Sequence, residues 1–317
     1  MSKLICKICN NEVNEDSHYW KTHKITMAKY FVQYYGKKSL LTGEPIEFKS
    51  KEQYLLSDFN NRYELQKWLL KQTDIDRQKY LKDLLLRRKD IKGVRYAFTQ
   101  AELRSIDCMP GIITFNQIFK NYYAICKELG FIDRGHNILT EKTILKPTRT
   151  LNGNPILIDS REQNWLSWGK KAIEIATLPV GDYTIKNNNH NIYIERKSLN
   201  DFISTLGING LDRFKRELQK AKDNNLYIIM LVESGFSEAL SFEYQPHISR
   251  YTKATAKFIF HNLRELLQEF PMNFQIGFCQ GRNEMKDMIV KIFEMGEFWK
   301  TADVQLGIDL KLFEDRI

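Results

Sequence analysis

The sequence predicts a mainly α-helical N-terminal half followed by an α/β domain. From about residue 155 onward, short runs of buried-type apolar residues alternate with amphipathic stretches, a pattern typical of a mixed or parallel sheet flanked by helices. The stretch 135–154 is rich in Thr, Asn, Gly and Pro, which marks it as a linker. A chain of 317 residues has the length of about two domains.

The composition excludes secreted and membrane-spanning proteins. The longest unbroken apolar runs, such as 227–232, are far shorter than the roughly 20 residues of a membrane span. The first ten residues contain Lys3 and Lys7 and no apolar signal-peptide core. Five cysteines in a chain of this length do not form a disulfide framework. We therefore expect a cytoplasmic protein.

Positive charge is concentrated in the N-terminal half. Residues 1–150 contain 27 Lys and Arg against 17 Asp and Glu, whereas residues 151–317 contain 21 and 22. The net charge of +9 therefore comes from the first 150 residues. This balance favours nucleic acid as a partner, with an ordinary solvated basic surface as the alternative.

Four residues of metal-binding type lie near the start of the chain: Cys6, Cys9, His18 and His23. Their spacing is Cys-x₂-Cys-x₈-His-x₄-His, and two thiolates with two imidazoles suit tetrahedral Zn²⁺. The middle gap is shorter than the roughly 12 residues of common DNA-reading fingers. We predict a structural zinc finger over residues 1–35 that binds DNA or protein. The alternative is two unliganded cysteines with two surface histidines.

Residues 40–134 are predicted to be helical and to bind DNA. Apolar residues recur at three- and four-residue spacings across 51–90, and 98–131 is expected to form two helices separated by Met109-Pro110-Gly111. We expect salt-dependent phosphate contacts from five basic residues, Arg87, Arg88, Lys89, Lys92 and Arg95.

The C-terminal half contains three short runs that predict buried strands. They cover 156–158, 192–194 and 227–232. Helices are predicted between and after them, over 211–223 and 254–270. Strands interleaved with helices are the basis of the α/β prediction.

A predicted hairpin in this half brings acidic side chains together. Residues 181–185 and 191–197 are expected to be strands joined by an Asn-rich turn. This pairing places Asp182 opposite Glu195 or Arg196. Facing residues of an antiparallel pair have Cβ atoms about 5 Å apart, so two carboxylates can share one cation.

A lysine joins these carboxylates. Glu195 and Lys197 lie two residues apart and therefore point to the same face of the strand. Mg²⁺ prefers oxygen ligands, and a bound metal lowers the pKa of water and stabilises charge on a phosphoryl oxygen. Alone, the Glu-x-Lys pattern is also explained by a solvated strand end.

The linked motifs resemble the nuclease domain of the XPF-type family of structure-specific DNA endonucleases. The family signature is Gly-Asp, a variable gap, Glu-Arg-Lys, three residues and Asp. This chain has Gly181-Asp182, then Glu195-Arg196-Lys197, then Asp201. The upstream Asp-x-Arg-Glu of the family is matched by Asp159-Ser160-Arg161-Glu162. The resemblance covers roughly residues 155–295.

This resemblance implies a restriction-endonuclease-like mixed sheet flanked by helices and Mg²⁺-dependent, or Mn²⁺-dependent, cleavage of DNA phosphodiesters. It implies that Asp182 and Glu195 bind the metal. Asp159, as a further Mg²⁺ ligand, and Glu162 would be additional acidic members of the catalytic site.

The resemblance also implies roles for four further residues. Lys197 would serve the attacking water and the transition state. Arg161 and Arg196 would contact phosphate or brace the site. Asp201 would support the lysine or the local hydrogen bonding. A structural salt bridge is the alternative for Arg161 and Asp201.

Two weaker resemblances concern the N-terminal half. The stretch 18–30 is similar to the short zinc fingers of Ros/MucR-type regulators and phage proteins. Residues 98–131 resemble the small helix–turn–helix repeats that accompany homing endonucleases, except that Lys120-Asn121-Tyr122 stands where Gly-Ser-Trp is expected. Together they indicate a phage or mobile-element setting in a prokaryotic cell.

We therefore predict a Mg²⁺-dependent, structure-specific DNA endonuclease that acts in replication, recombination or repair. The nuclease domain is assigned to 155–317. The family tends to pair its nuclease domains, so a homodimer or heterodimer is expected. One alternative is a site-specific homing or restriction-type endonuclease. The other is a DNA-binding factor with an idle nuclease fold.

Overall fold

The computed structural model describes residues 5–13, 18–25, 30, 34, 59, 62–92, 94–106, 108–140, 143, 151, 153–169, 172–242 and 255–313. The chain divides into two compact units. The first unit is Met1–Ala97 with Ile106–Asp133, and the second is Phe98–Ser105 with Arg134–Ile317. Among the described helices, none is long and apolar enough to cross a membrane.

The helices of the described residues are numbered here in chain order. They are α1 (His18–His23), α2 (Arg62–Leu69), α3 (Asp74–Lys92), α4 (Gln100–Arg104), α5 (Ile112–Phe119), α6 (Tyr122–Glu128), α7 (Leu199–Leu206), α8 (Leu211–Asp223), α9 (Phe236–Leu240), α10 (Ala256–Glu269), α11 (Arg282–Met295) and α12 (Val304–Asp309). A short 3₁₀ helix, Gly296–Lys300, lies between the last two.

The described part of the first unit is mainly helical, as predicted. The prediction of two helices over 98–131 is wrong, because this stretch contains α4, α5 and α6. Helix α5 stops at Lys120, whose φ of 67° leaves the helical region. The side chain of Asn121 then accepts the backbone N–H of Ala124 and starts α6. Of the predicted helical stretch 51–90, residues 51–58 lie outside the described part.

Three of the basic side chains expected to contact phosphate pack inside the first unit instead. Arg87 and Arg88 are buried, and Arg87 pairs with Asp83. Lys89 donates to the backbone oxygen of Leu129. That part of the prediction is wrong, because these side chains complete the packing of α3. Of the other two, Arg95 is exposed, and the side chain of Lys92 lies outside the described residues.

The second unit contains a six-stranded mixed sheet, which confirms the predicted fold class. Its strands are β1 (Ile156–Asp159), β2 (Ile173–Ala176), β3 (Tyr183–Ile185), β4 (Ile192–Lys197), β5 (Tyr227–Val232) and β6 (Phe274–Phe278), in the order β2-β1-β3-β4-β5-β6. Strand β3 is antiparallel to β1 and β4, and the other neighbours are parallel. The three strands and two helices predicted for this half are present.

Helices cover the middle of this sheet. All six side chains of β5 are buried, as expected for a central parallel strand with both faces covered. Phe202 of α7, Leu218 of α8 and Phe260 of α10 belong to one hydrophobic core with Met230 of β5. This packing fixes the carboxyl ends of β4 and β5, where the acidic motif lies.

Helix α4 belongs to the second unit although its sequence lies among the helices of the first. Glu102 accepts the N–H of Thr99 in a capping box and forms an ion pair with Arg134. The N–H of Gln100 donates to Asp303 over 2.6 Å. Ala101 is part of the core of the second unit. The division into units therefore does not follow the predicted helical region 40–134.

The first residues of the predicted linker 135–154 pack within the second unit, to which they belong. Leu139 is buried, and the side chain of Asn137 donates to Thr301 Oγ1 over 2.8 Å. Residues 144–150 of this linker lie outside the described part. The predicted domain boundaries stay a prediction.

Candidate active site

The β3–β4 hairpin positions Asp182 beside β4. Tyr183 pairs with Ile194, and the N–H of Asp182 donates to the oxygen of Ile194 over 2.8 Å. The Asp182 carboxylate accepts the N–H of Arg196 over 2.7 Å. Gly181 makes this approach possible: its φ is +68°, and a Cβ there would lie 2.9 Å from the oxygen of Ile194. Asp182 thus faces the start of the Glu-Arg-Lys motif, as the hairpin predicts.

Glu195 and Lys197 form an ion pair on the same face of β4. Burial, reinforced by the Asp182 carboxylate, raises the pKa of Glu195 to about 8. Burial also raises the pKa of Asp182 to about 6, although the N–H of Arg196 opposes that change. Burial lowers the pKa of Lys197, but the neighbouring Glu195 carboxylate outweighs it, so the pKa is raised overall. A buried carboxylate, Glu195, and a half-buried one, Asp182, thus lie beside the ammonium group of Lys197.

A divalent cation suits this pair of carboxylates. Burial raises the pKa of both carboxyls, repulsion from Asp182 adds to this at Glu195, and a bound cation would offset this repulsion. Carboxylate oxygens are also the ligands that Mg²⁺ and Mn²⁺ prefer. The donor set of Asp182 and Glu195 therefore fits the metal that the sequence predicts.

Asp159 is buried and already bound on both of its oxygens. Its Oδ1 accepts the N–H and the Nε of Arg161 over 2.8 and 2.6 Å. Its Oδ2 accepts Nη2 of Arg161 over 3.0 Å and the N–H of Leu178 over 2.8 Å. The hydrogen bonds from Arg161 are the main reason that the pKa of Asp159 falls to about 2. To bind Mg²⁺, as the resemblance implies, Asp159 would have to release these donors.

The low pKa of Asp159 predicts an acid-sensitive contribution to stability. The ionised carboxylate stabilises the fold above its usual pKa of 3.8, and this contribution disappears as the pH falls towards 2. Asp159→Asn is expected to lower the free energy of unfolding at pH 7 by about 1–3 kcal/mol, with a smaller difference at pH 3. Urea unfolding at both pH values measures this. An equal loss at both would contradict the assignment.

Arg196 is buried between two carboxylates. Its Nη1 lies 2.8 Å from Oε1 of Glu233, and its Nη2 lies 3.3 Å from Oε1 of Glu162. Glu233 also pairs with Arg282 over 3.2 Å. Only 8% of the Arg196 side chain is exposed, so this geometry favours the bracing role over phosphate contact. The Glu162 carboxylate is thus paired with Arg196.

Asp201 lies in the first turn of α7, four residues after Lys197. Ser198 Oγ donates to its Oδ2 over 2.6 Å and accepts its N–H over 3.1 Å. These bonds cap the helix that follows Lys197. The described contacts of Asp201 therefore support the local hydrogen bonding rather than the lysine.

Sequence reasoning missed three charged residues near the motif. Glu233 had a usable signal, because it directly follows the buried strand β5 next to β4. No pattern in the sequence points to Arg282 on α11 or to Glu217 on α8. The negative charge of Glu217 contributes to the raised pKa values of Glu195 and Lys197. Both helices are brought to the site only by tertiary packing.

The predicted zinc ligands come together in the first unit. Cys6 Sγ lies 3.3 Å from His23 Nε2, and Cys9 Sγ lies 3.5 Å from His18 Nε2. All four ligand atoms lie within 4.8 Å of one another. Although burial opposes it, hydrogen bonds from the Cys9 and Ile8 backbone lower the pKa of Cys6 to about 6. This Cys₂His₂ cluster could hold Zn²⁺.

The second unit thus combines a mixed α/β sheet with two neighbouring carboxylates and a lysine beside the β3–β4 hairpin. The family comparison agrees with this arrangement. Residues 158–292 match the ERCC4 domain, which is the XPF-type nuclease domain. This match lies within residues 155–295, the span of the resemblance seen in the sequence. No curated protein matches the chain significantly.

Proposed function

We propose that the protein is a Mg²⁺-dependent DNA endonuclease, active also with Mn²⁺, that hydrolyses phosphodiester bonds in replication, recombination or repair. An ERCC4 domain implies a structure-specific DNA endonuclease. The observation that carries the proposal is the placement of Asp182, Glu195 and Lys197 together at the end of the β3–β4 hairpin inside this domain.

Asp182 and Glu195 would hold the metal, and Lys197 would act on the phosphate. A bound Mg²⁺ supplies an activated water and stabilises charge on a phosphoryl oxygen. Because Lys197 stays protonated, its ammonium group offsets the negative charge that develops at the phosphate. Arg161, Glu162 and Arg196 would keep the strand ends in place.

Charge in both units supports DNA as the substrate. The first 150 residues carry the excess of Lys and Arg. In the second unit, Arg213 and Arg216 are exposed on α8, the helix that also carries Glu217. Among the described residues, no ion pair involves either arginine, so both guanidinium groups are available for phosphate contacts.

A panel of labelled DNAs tests the proposed function. We expect Mg²⁺-dependent cutting of nicked, flap, fork or four-way-junction DNA in preference to plain duplex, and loss of cutting with EDTA. Cutting at one duplex sequence would favour a homing or restriction-type enzyme. Binding of every DNA without cutting, in Mg²⁺ and in Mn²⁺, would favour the DNA-binding factor. The expected dimer is tested by light scattering of the same protein.

We also propose that the cluster of Cys6, Cys9, His18 and His23 holds structural Zn²⁺. Cys6→Ser removes one ligand and is expected to lower the zinc content from one equivalent to near zero, because such small folds depend on the full ligand set. Atomic emission measures the metal content. Cys279→Ala, which replaces a buried cysteine of the second unit, is the control and should keep its zinc. Equal zinc content in the two variants would contradict the site.

A further inference from the structure

Trp165 is an exposed aromatic side chain on the loop that follows β1. Its exposure is 42%, whereas its neighbour Leu166 is buried. Among the described residues, no aromatic ring or cation contacts its indole. Tryptophan is enriched at interfaces because it combines a large apolar ring with a polar N–H. The accessible indole of Trp165 can therefore contact a binding partner.

The loop holds Trp165 rigidly. Arg282 Nη2 donates to the oxygens of Asn164 and Trp165, each over 2.9 Å. On the other side, the N–H of Leu166 donates to the hydroxyl of Tyr183 over 3.0 Å. These hydrogen bonds hold the backbone on both sides of Trp165, so binding of a partner there would cost little backbone entropy.

The same contacts tie Trp165 to the candidate active site. Arg282 also pairs with Glu233, and Glu233 pairs with Arg196. On the chain itself, Glu162 accepts the N–H of Asn164 over 2.7 Å. The indole is thus attached through both its loop and Arg282 to the residues that brace the metal-binding carboxylates.

We propose that Trp165 stacks on a nucleobase next to the cleaved phosphate, at a place where the DNA stack is interrupted. This inference rests on the proposed function. Every nucleobase has a flat face that stacks on an aromatic ring without sequence preference. In a continuous duplex the neighbouring base pairs cover these faces, whereas a nick, a flap or a junction leaves one free. Trp165 would therefore select interrupted DNA and position it for the acidic site.

The test compares Trp165→Ala and Trp165→Phe with Phe258→Ala in the full chain. Phe258 is the matched control, because it is an aromatic residue of the same unit with a similar exposure of 37%. Each change is made in wild type for single-turnover cleavage and in an Asp182→Asn background for binding. The DNAs are a flap, a nicked duplex and a continuous duplex, the first two carrying 2-aminopurine beside the break.

Trp165→Ala is expected to weaken binding of flap and nicked DNA about 10- to 100-fold, to slow their cleavage and to abolish the quenching of 2-aminopurine. Binding of continuous duplex should change little, Trp165→Phe should restore most of the loss, and Phe258→Ala should resemble wild type. Unchanged binding, or an equal loss on all three DNAs, would overturn the stacking proposal. If the wild-type protein cuts none of these DNAs but its binding still depends on Trp165, the proposed function is overturned and the stacking proposal is not.

Discussion

Asp182→Asn or Glu195→Gln is expected to reduce the rate of metal-dependent DNA cleavage by about a thousandfold or more. A metal that activates water and stabilises the phosphoryl oxygen contributes several kcal/mol to catalysis, and each 1.36 kcal/mol corresponds to a factor of ten. Both substitutions keep the size of the side chain and remove one carboxylate from the proposed metal site. Asp182 is half-buried and Glu195 is buried beside it, so we expect no neighbouring carboxylate to take the place of either.

Single-turnover cleavage of the preferred DNA measures this loss. Glu174→Gln is the control, because Glu174 is an exposed carboxylate of β2 that pairs only with Lys186 among the described contacts. The three variants should bind DNA with affinities close to that of wild type in the absence of metal. If Glu195→Gln cuts at more than a tenth of the wild-type rate, Glu195 is not a metal ligand.

The second large effect concerns stability. Glu102→Gln is expected to lower the free energy of unfolding of the second unit by about 3–5 kcal/mol, as found when one partner of a buried ion pair is removed. The side chains of Glu102 and Arg134 are 0% and 1% exposed, and their charged atoms lie 3.0 Å apart. Neutral Gln would deprive the buried Arg134 guanidinium of the Glu102 carboxylate.

The other bonds of Glu102 add to this loss. Its carboxylate accepts the N–H of Thr99 over 2.7 Å and Nε2 of Gln268 over 2.6 Å. Urea unfolding followed by circular dichroism measures the change. Glu174→Gln again serves as the control, since exposed ion pairs contribute at most about 1 kcal/mol. A loss below 1 kcal/mol for Glu102→Gln would show that α4 does not stabilise the second unit.

Four of the six strands of the second unit, β1, β3, β4 and β5, were predicted from the sequence because their signals are local, whereas β2 and β6 were missed. Strand β5 is a continuous apolar run, and the Asn-rich turn between β3 and β4 contains Asn187 and Asn191 with φ of 61° and 55°. The turn between β3 and β4 brings Asp182 beside the Glu-Arg-Lys motif. The acidic hairpin could therefore be identified without a structure.

Other parts of the site depend on contacts that the sequence does not encode locally. The N–H of Leu178 donates to Asp159 across 19 residues. Arg282 reaches the loop of Trp165 across 117 residues. The contacts of α4 span up to 209 residues. No periodicity or spacing in the 98–131 stretch reveals that its first helix packs in a different unit from the next two.

The chain passes between its two units three times, near residues 97, 105 and 133, and this connectivity constrains its synthesis. Gln100 bonds to Asp303 and Asp309, about 200 residues later in the chain. At about 5–20 residues per second, a ribosome needs roughly 10–40 s to make that stretch. During translation, α4 therefore cannot form these contacts until residues 303–309 have been synthesised. A polypeptide released before residue 303 lacks the contacts that complete the second unit.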